Sequence, residues 1–174
     1  MLDYISTQLL TTSINVEMNQ MKGDINQLLY KLLTSKYEGV CNKDGYVQKH
    51  SLHIINRSVG EVKTINNTSY IVYNITYKAN IYTPVKGTKL DITVNSITKM
   101  GIIGYLKGVD GGEGGEGDGE HTIDTSPFIV IVPREYFPDE SIDSYSVNDS
   151  LVVQIEDSRI KYMSRNIQIV AKPV

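Results

Sequence analysis

From Ser69 to Tyr82 the chain alternates with period two: Ile71, Tyr73, Ile75 and Tyr77 fall on one side, and Val72, Asn74, Thr76 and Lys78 on the other. Successive side chains of an extended chain point to opposite faces, so this segment reads as a strand with one apolar, aromatic face and one mostly polar face. Pro84 ends it, because proline lacks a ladder donor and biases Thr83 toward extended backbone. An apolar sheet face must be covered. The cover is supplied earlier in the chain, where Ile25, Leu28, Leu29, Leu32 and Leu33 form one helical stripe behind the capping residue Asp24, with Gly39 near its end. A helix on an antiparallel sheet, an α+β layer, is the expected first unit.

The rest of that unit follows from turn chemistry. Ile5 to Val16 reads as a first strand. Tyr37 to Cys41 and Tyr46 to His50 flank Asn42-Lys43-Asp44-Gly45, whose glycine suits a tight turn, so a hairpin is expected there. Glu61 to Ile65 pairs with the long strand across Asn66-Asn67-Thr68. Beyond Pro84, five segments carry strand patterning: Lys86 to Ile97, Gly101 to Lys107, Phe128 to Val132, Leu151 to Ile155 and Ile167 to Ala171. Five short strands with turn residues between them suit a small all-β barrel of the OB type. The expected division is therefore 1–84 for the α+β unit and 85–174 for the barrel, with an acidic, glycine-rich insertion at 109–125. That insertion is too poor in apolar residues to offset its ordering entropy and is expected to be mobile.

Charge narrows the function classes. The 174 residues carry a formal net charge of -3, and the stretch from Asp110 to Asp124 holds six acids with no Lys or Arg. Phosphate neutralisation supplies most non-specific nucleic-acid affinity, so any RNA contact should be weak and delivered within a larger assembly. The single cysteine, Cys41, excludes an internal disulfide and a cysteine zinc site. His50, His53 and His121 form no paired metal motif, and the acids of the insertion lack calcium-loop spacing, so neither a metal nor a cofactor is expected. No phosphate-cradling glycine loop or nucleophile motif appears, which argues against an enzyme. Met1 to Ser6 has neither a basic leader nor an apolar run, and no stretch is long and apolar enough to suggest a membrane span. Five Asn-x-Ser/Thr sequons, at Asn56, Asn66, Asn67, Asn74 and Asn148, keep a secreted or capsid β-protein in view as a competing reading.

A binding surface is the better prospect. On OB barrels single-stranded nucleic acid crosses strands two and three, where aromatics stack bases and cations follow the backbone. Tyr105, Lys107 and Phe128 fall on those strands, with Lys89, Lys99, Lys161, Tyr162 and Arg165 at their borders. Each also has a plain structural alternative: Phe128 as core, the lysines as solvated surface.

Taken in order, the segments Tyr37-Glu38-Gly39-Val40-Cys41, Gly45-Tyr46-Val47, Tyr73 to Ala79, Pro84-Val85-Lys86-Gly87, Met100 to Gly104 and Phe128-Ile129 resemble the stalk subunits of DNA-directed RNA polymerases, namely the seventh subunit of the eukaryotic enzyme and its archaeal counterpart. The resemblance covers nearly the whole chain, through short structural motifs. It implies an N-terminal tip domain docked on the large polymerase subunits at the clamp base, and a C-terminal S1-type OB barrel facing nascent single-stranded RNA. It also implies a small helical partner along both domains, and no catalysis by the stalk itself. By position, Ile54 to Gly60 matches the family's tip loop, making Asn56, Arg57, Ser58 and Gly60 the expected core-docking residues. Location would be the site of transcription: the nucleus in a cell, or the virion and cytoplasmic factory if a large DNA virus encodes it, which the Ile, Asn, Tyr and Lys bias suggests. Two departures stand out. The acidic insertion replaces a short connection, and Ile102 stands where an S1 domain carries an aromatic. A free-standing S1/OB RNA-binding protein of translation or RNA decay is the alternative.

Overall fold

The computed structural model describes residues 2–106, 122–138 and 141–174. The first part is a five-stranded antiparallel sheet built on one long strand. Strand β1 (Ile5–Glu17) pairs along its whole length with β5 (Thr68–Tyr82), from Ile5 opposite Tyr82 to Glu17 opposite Tyr70. The other edge of β5 is taken in turn by three short strands: β2 (Tyr46–Val47), β3 (His53–Arg57) and β4 (Glu61–Ile65). Helix α1 (Ile25–Tyr37) lies against this sheet with Leu29 and Leu33 fully buried and Ile25, Leu28 and Leu32 half-buried. They meet Ile14, Val16, Tyr73, Ile75 and Tyr77 in one core, as the two matching periodicities require. The Asp24 side chain accepts the Asn26 amide hydrogen and starts the helix. Past its end, Gly39 takes a φ of +73°, a conformation open to glycine at little cost.

Several expectations change here. Tyr37 is the last residue of α1, not the start of a strand, and the expected Tyr37–Cys41/Tyr46–His50 hairpin shrinks to a Cys41–Tyr46 bridge beside the two-residue β2. The chain turns at Asn42, whose side-chain oxygen accepts the amides of both Asp44 and Gly45, and His50 sits in a turn with φ +60°. What Gly45 supplies is room: a Cβ there would lie 2.1 Å from the Tyr82 carbonyl oxygen. The expected tip loop also contains a strand, β3, with a register shift between Ile54 and Asn56.

The second part is a closed barrel of five strands: β6 (Lys89–Thr98), β7 (Gly101–Leu106), β8 (Phe128–Pro133), β9 (Ser150–Arg159) and β10 (Ile167–Pro173). The circuit runs β10-β8-β7-β6-β9, with β8 and β10 parallel and the other pairs antiparallel. This is an OB-like arrangement. Leu90, Ile92, Val94, Ile102, Phe128, Val130, Val132, Val153, Ile155, Ile167 and Ile169 fill its interior. Lys107 and most of the acidic insertion lie outside the described residues.

Tyr4, Cys41, Tyr46 and Tyr82 belong to the barrel's buried cluster rather than to the core under α1. Tyr82 packs edge-on against Phe128 with ring centroids 6.0 Å apart, Tyr4 does so at 5.8 Å, and Tyr46 meets Tyr82 at 6.1 Å. Each such pair contributes about 0.5–1.5 kcal/mol beyond the area it buries. The end of the long strand is therefore built into the barrel.

Candidate functional site

The segment Glu38-Gly39-Val40-Cys41 makes a joint. A Glu38 carboxylate oxygen accepts the Leu52 amide at 3.0 Å, the Gly39 amide donates to the Val47 carbonyl, and the Val47 amide donates to Val40. Cys41 then reaches across to the β9–β10 loop: its amide donates to the Ser164 carbonyl and its carbonyl accepts the Met163 amide, both at 2.8 Å. The Ser164 hydroxyl donates to the Asn166 carbonyl and lies 3.5 Å from the Cys41 sulfur. Burial pushes the thiol pKa up, partly offset by that hydroxyl. A buried, protonated thiol of this kind is a packing residue and not a nucleophile.

A cationic cavity adjoins the stapled loop. Arg159, Lys161, Ser164, Asn166 and Gln168 line a cavity of about 190 Å³. None of Arg159, Lys161, Asn166 and Gln168 makes a side-chain hydrogen bond or ion pair with another described residue, and among the described residues no carboxylate lines the cavity. Tyr162 beside it is 64% exposed, and Arg165 is exposed. Tyr162 is also near enough to Tyr77 to influence its titration: burial first, then Tyr37 and Tyr162, push the Tyr77 pKa up to about 12.

The other nucleic-acid candidates do not gather there. Phe128 points into the barrel, is 0% exposed and holds the joint together, so it offers no ring to a base. Tyr105 is on the outward-facing row but only 9% exposed. Ile102 also points inward, so an aromatic at that position would enter the core. Lys99 is exposed at the β6–β7 turn, at the barrel end opposite the β9–β10 loop. Lys89 lines a separate open groove with Leu2, Tyr4, Leu90, Asp91, Leu106 and Val152, where a carboxylate accompanies it. One outward row across β7, β8 and β10 is aliphatic, with Ile103 opposite Ile131 and Ile131 opposite Val170, all half-buried; the next row has Tyr105 and Gln168 on either side of Ile129.

At the far end of the sheet, the expected docking residues divide. The Arg57 guanidinium donates to the Asn26 side chain at 2.8 Å and to the Ser58 carbonyl, and lies 5.4 Å from the Tyr73 ring centre. The Ser58 amide donates to the Asn74 carbonyl, and the Ser58 hydroxyl accepts the Asn74 amide at 2.9 Å. A Cβ on Gly60 would stand 2.5 Å from Ile71. These three shape the turn, whereas Asn56 is exposed. The residues that present apolar surface there are Ile55, Val62 and above all Val59, 88% exposed. Sequence reading passed over them because nothing in an isolated aliphatic residue says that its face is uncovered.

Among the described residues no group of three His, Cys, Asp or Glu side chains converges on a point, and His121 is outside them. No helix among them is long and apolar enough to cross a membrane. No protein-family model and no curated protein matches this chain.

Proposed function

We propose that the chain is a non-catalytic stalk subunit of a DNA-directed RNA polymerase, with its S1-type barrel toward the transcript and the distal end of its sheet on the enzyme's large subunits. The observation that supports this most is the joint. Cys41 and Tyr46, two of the residues carrying the family resemblance, tie a one-helix sheet to an OB-like barrel, while three others, Glu38, Gly39 and Gly45, hold the segment that leads to them. A two-part body joined in this way has a mechanical use: one end is held while the other guides a strand. The exposed Ile55, Val59 and Val62 supply apolar surface at the end that would dock.

Affinity purification of the tagged chain tests the reading. The large polymerase subunits and a small helical partner are expected to copurify, and Val59→Asp should abolish the recovery without changing thermal stability. A chain that stays monomeric in its native host extract refutes the proposal. Arg159 and Lys161, which pair with no described carboxylate, favour a second reading, a free-standing single-strand RNA-binding protein. Tight, salt-sensitive oligonucleotide binding by the isolated chain, with no polymerase recovered, would establish that reading instead.

A further inference from the structure

We infer that β1 is an interface between copies of this chain: its free edge pairs with the free edge of β1 in a second copy, antiparallel about a two-fold axis at Thr11, and joins two sheets into one. The inference does not rest on the stalk reading above.

Three observations carry it. The first is that the edge is open. In an antiparallel ladder, alternate residues turn their N–H and C=O groups to the partner strand and the others turn them away. Strand β5 takes one side of β1 along all thirteen residues, from Ile5 to Glu17. Among the described residues no backbone hydrogen bond reaches the other side between Ser6 and Val16.

The second is that nothing blunts the edge. Proteins protect such edges with charges, proline, a bulge or a short strand. From Ile5 to Val16 there is no Asp, Glu, Lys, Arg, His, Pro or Gly, and the register against β5 runs without a shift. The far side of the same sheet is protected in three of these ways: β2 has two residues, β3 has its register shift between Ile54 and Asn56, and β4 carries Glu61 and Lys63. The barrel is closed. Among the described residues β1 is thus the one long, flat and uncharged edge.

The third is self-complementarity, which selects a second copy over a foreign strand. Residues opposite each other in an antiparallel pair share a face. With the axis at Thr11, the open face sets Leu9 opposite Ser13 of the second copy and Thr7 opposite Asn15. The α1 side sets Leu10 opposite Thr12 and Gln8 opposite Ile14. Hydroxyl meets hydroxyl at the axis, a favourable cross-strand pair, and no position sets like charges opposite one another. Leu9, 68% exposed in the single chain, gains cover. Because each β1 is already held extended by β5, the pair loses less ordering entropy than a flexible strand from another protein would.

The test uses the full chain. Sedimentation equilibrium over a dilution series should report a monomer–dimer equilibrium, and the outward amides of β1 should gain exchange protection with the dimer. Thr11→Lys, which sets two ammonium groups together at the axis, should weaken self-association at least about tenfold. Thr11→Asp should do the same, and an equimolar mixture of the two variants should pair again. Thr11 is exposed, so both variants should melt as the parent does. Cysteine placement reads the register. The native Cys41 is buried, so Thr11→Cys offers one accessible thiol. It should oxidise to a disulfide-linked dimer, since opposed Cα atoms of an antiparallel pair lie about 4.5–5.5 Å apart. Thr7→Cys should not link to its own copy, which would lie about 27 Å away along the strand, but should link to Asn15→Cys.

A chain that is monomeric at every concentration overturns the inference, as does a dimer that Thr11→Lys leaves intact or a Thr7→Cys variant that links to itself as readily as Thr11→Cys. Outward β1 amides that become protected only in host extract, in a chain that does not dimerise, would give the edge to another protein's strand and likewise overturn it. Copurification with polymerase is a separate readout. A chain that recovers the polymerase subunits and never dimerises keeps the stalk reading and loses this one.

Discussion

The two ends of β5 are one strand in two environments. At its C-terminal end Ala79, Ile81 and Tyr82 are buried, with Tyr82 locked among Tyr4, Tyr46 and Phe128. At its N-terminal end Thr68 and Ser69 are exposed, and the whole of its partner β4 is exposed with them. Backbone pairing continues along both ends, so ladder hydrogen bonds do not make the difference. What differs is whether a second layer covers the faces. An uncovered hairpin is marginal by itself in water, and an apolar residue there is free to serve another surface.

The largest effect that can break this comparison is at the covered end. Phe128→Ala should destabilise the protein by about 3–5 kcal/mol in urea unfolding, while Val62→Ala at the open end should stay within about 0.5 kcal/mol. Equal losses would mean that the distal hairpin is packed after all. Next comes Gly45→Ala. Its methyl cannot coexist with the Tyr82 carbonyl oxygen, so β2 must separate from β5, at about 2 kcal/mol or more. Because that contact adjoins the joint, the variant should also speed the reaction of Cys41 with a thiol reagent; unchanged labelling would detach Gly45 from the joint.

A pH titration sharpens the contrast further. The Tyr77 pKa is raised, mainly by burial, to about 12. Its neutral form is therefore favoured in the folded protein, and the stability this confers is complete below about pH 10 and lost as pH rises toward 12. Tyr77→Phe should flatten that alkaline fall in melting temperature. The smallest effect belongs to the open hairpin, where Asn66 and Asn67 have φ of +48° and +63°. Asn67→Val should cost about 1–2 kcal/mol of local hairpin stability, read by amide exchange in β4, with less change in the global transition.

How much of this was legible in the sequence depended on whether the local pattern had a single cause. The β5 alternation and the α1 stripe each matched one periodicity and one buried face, and both elements are present. Strand β3 was not legible: its residues are largely exposed, and the register shift at Ile55 breaks the alternation. The β9 extension from Glu156 to Arg159 is polar, so an apolar pattern ended at Ile155 where the strand does not. Phe128 and Tyr162 show the limit for the site. Both are aromatics near a barrel end, but parity along β8 turns the first inward and a loop leaves the second in solvent. The pairing of Cys41 with the loop around Ser164 spans more than a hundred residues, and no local pattern encodes it.

The pairing of β1 with β5 has a consequence for the chain's birth. Partners in that ladder are separated by roughly fifty to eighty residues. At about 5–20 residues per second of synthesis, β1 leaves the ribosome seconds before its only strand partner among the described residues exists. During that interval its unpaired edge is open to other extended segments. Thr7, Thr11, Ser13 and Asn15, exposed on the face where Leu9 is the one aliphatic among them, then limit the apolar surface of a strand that has to wait.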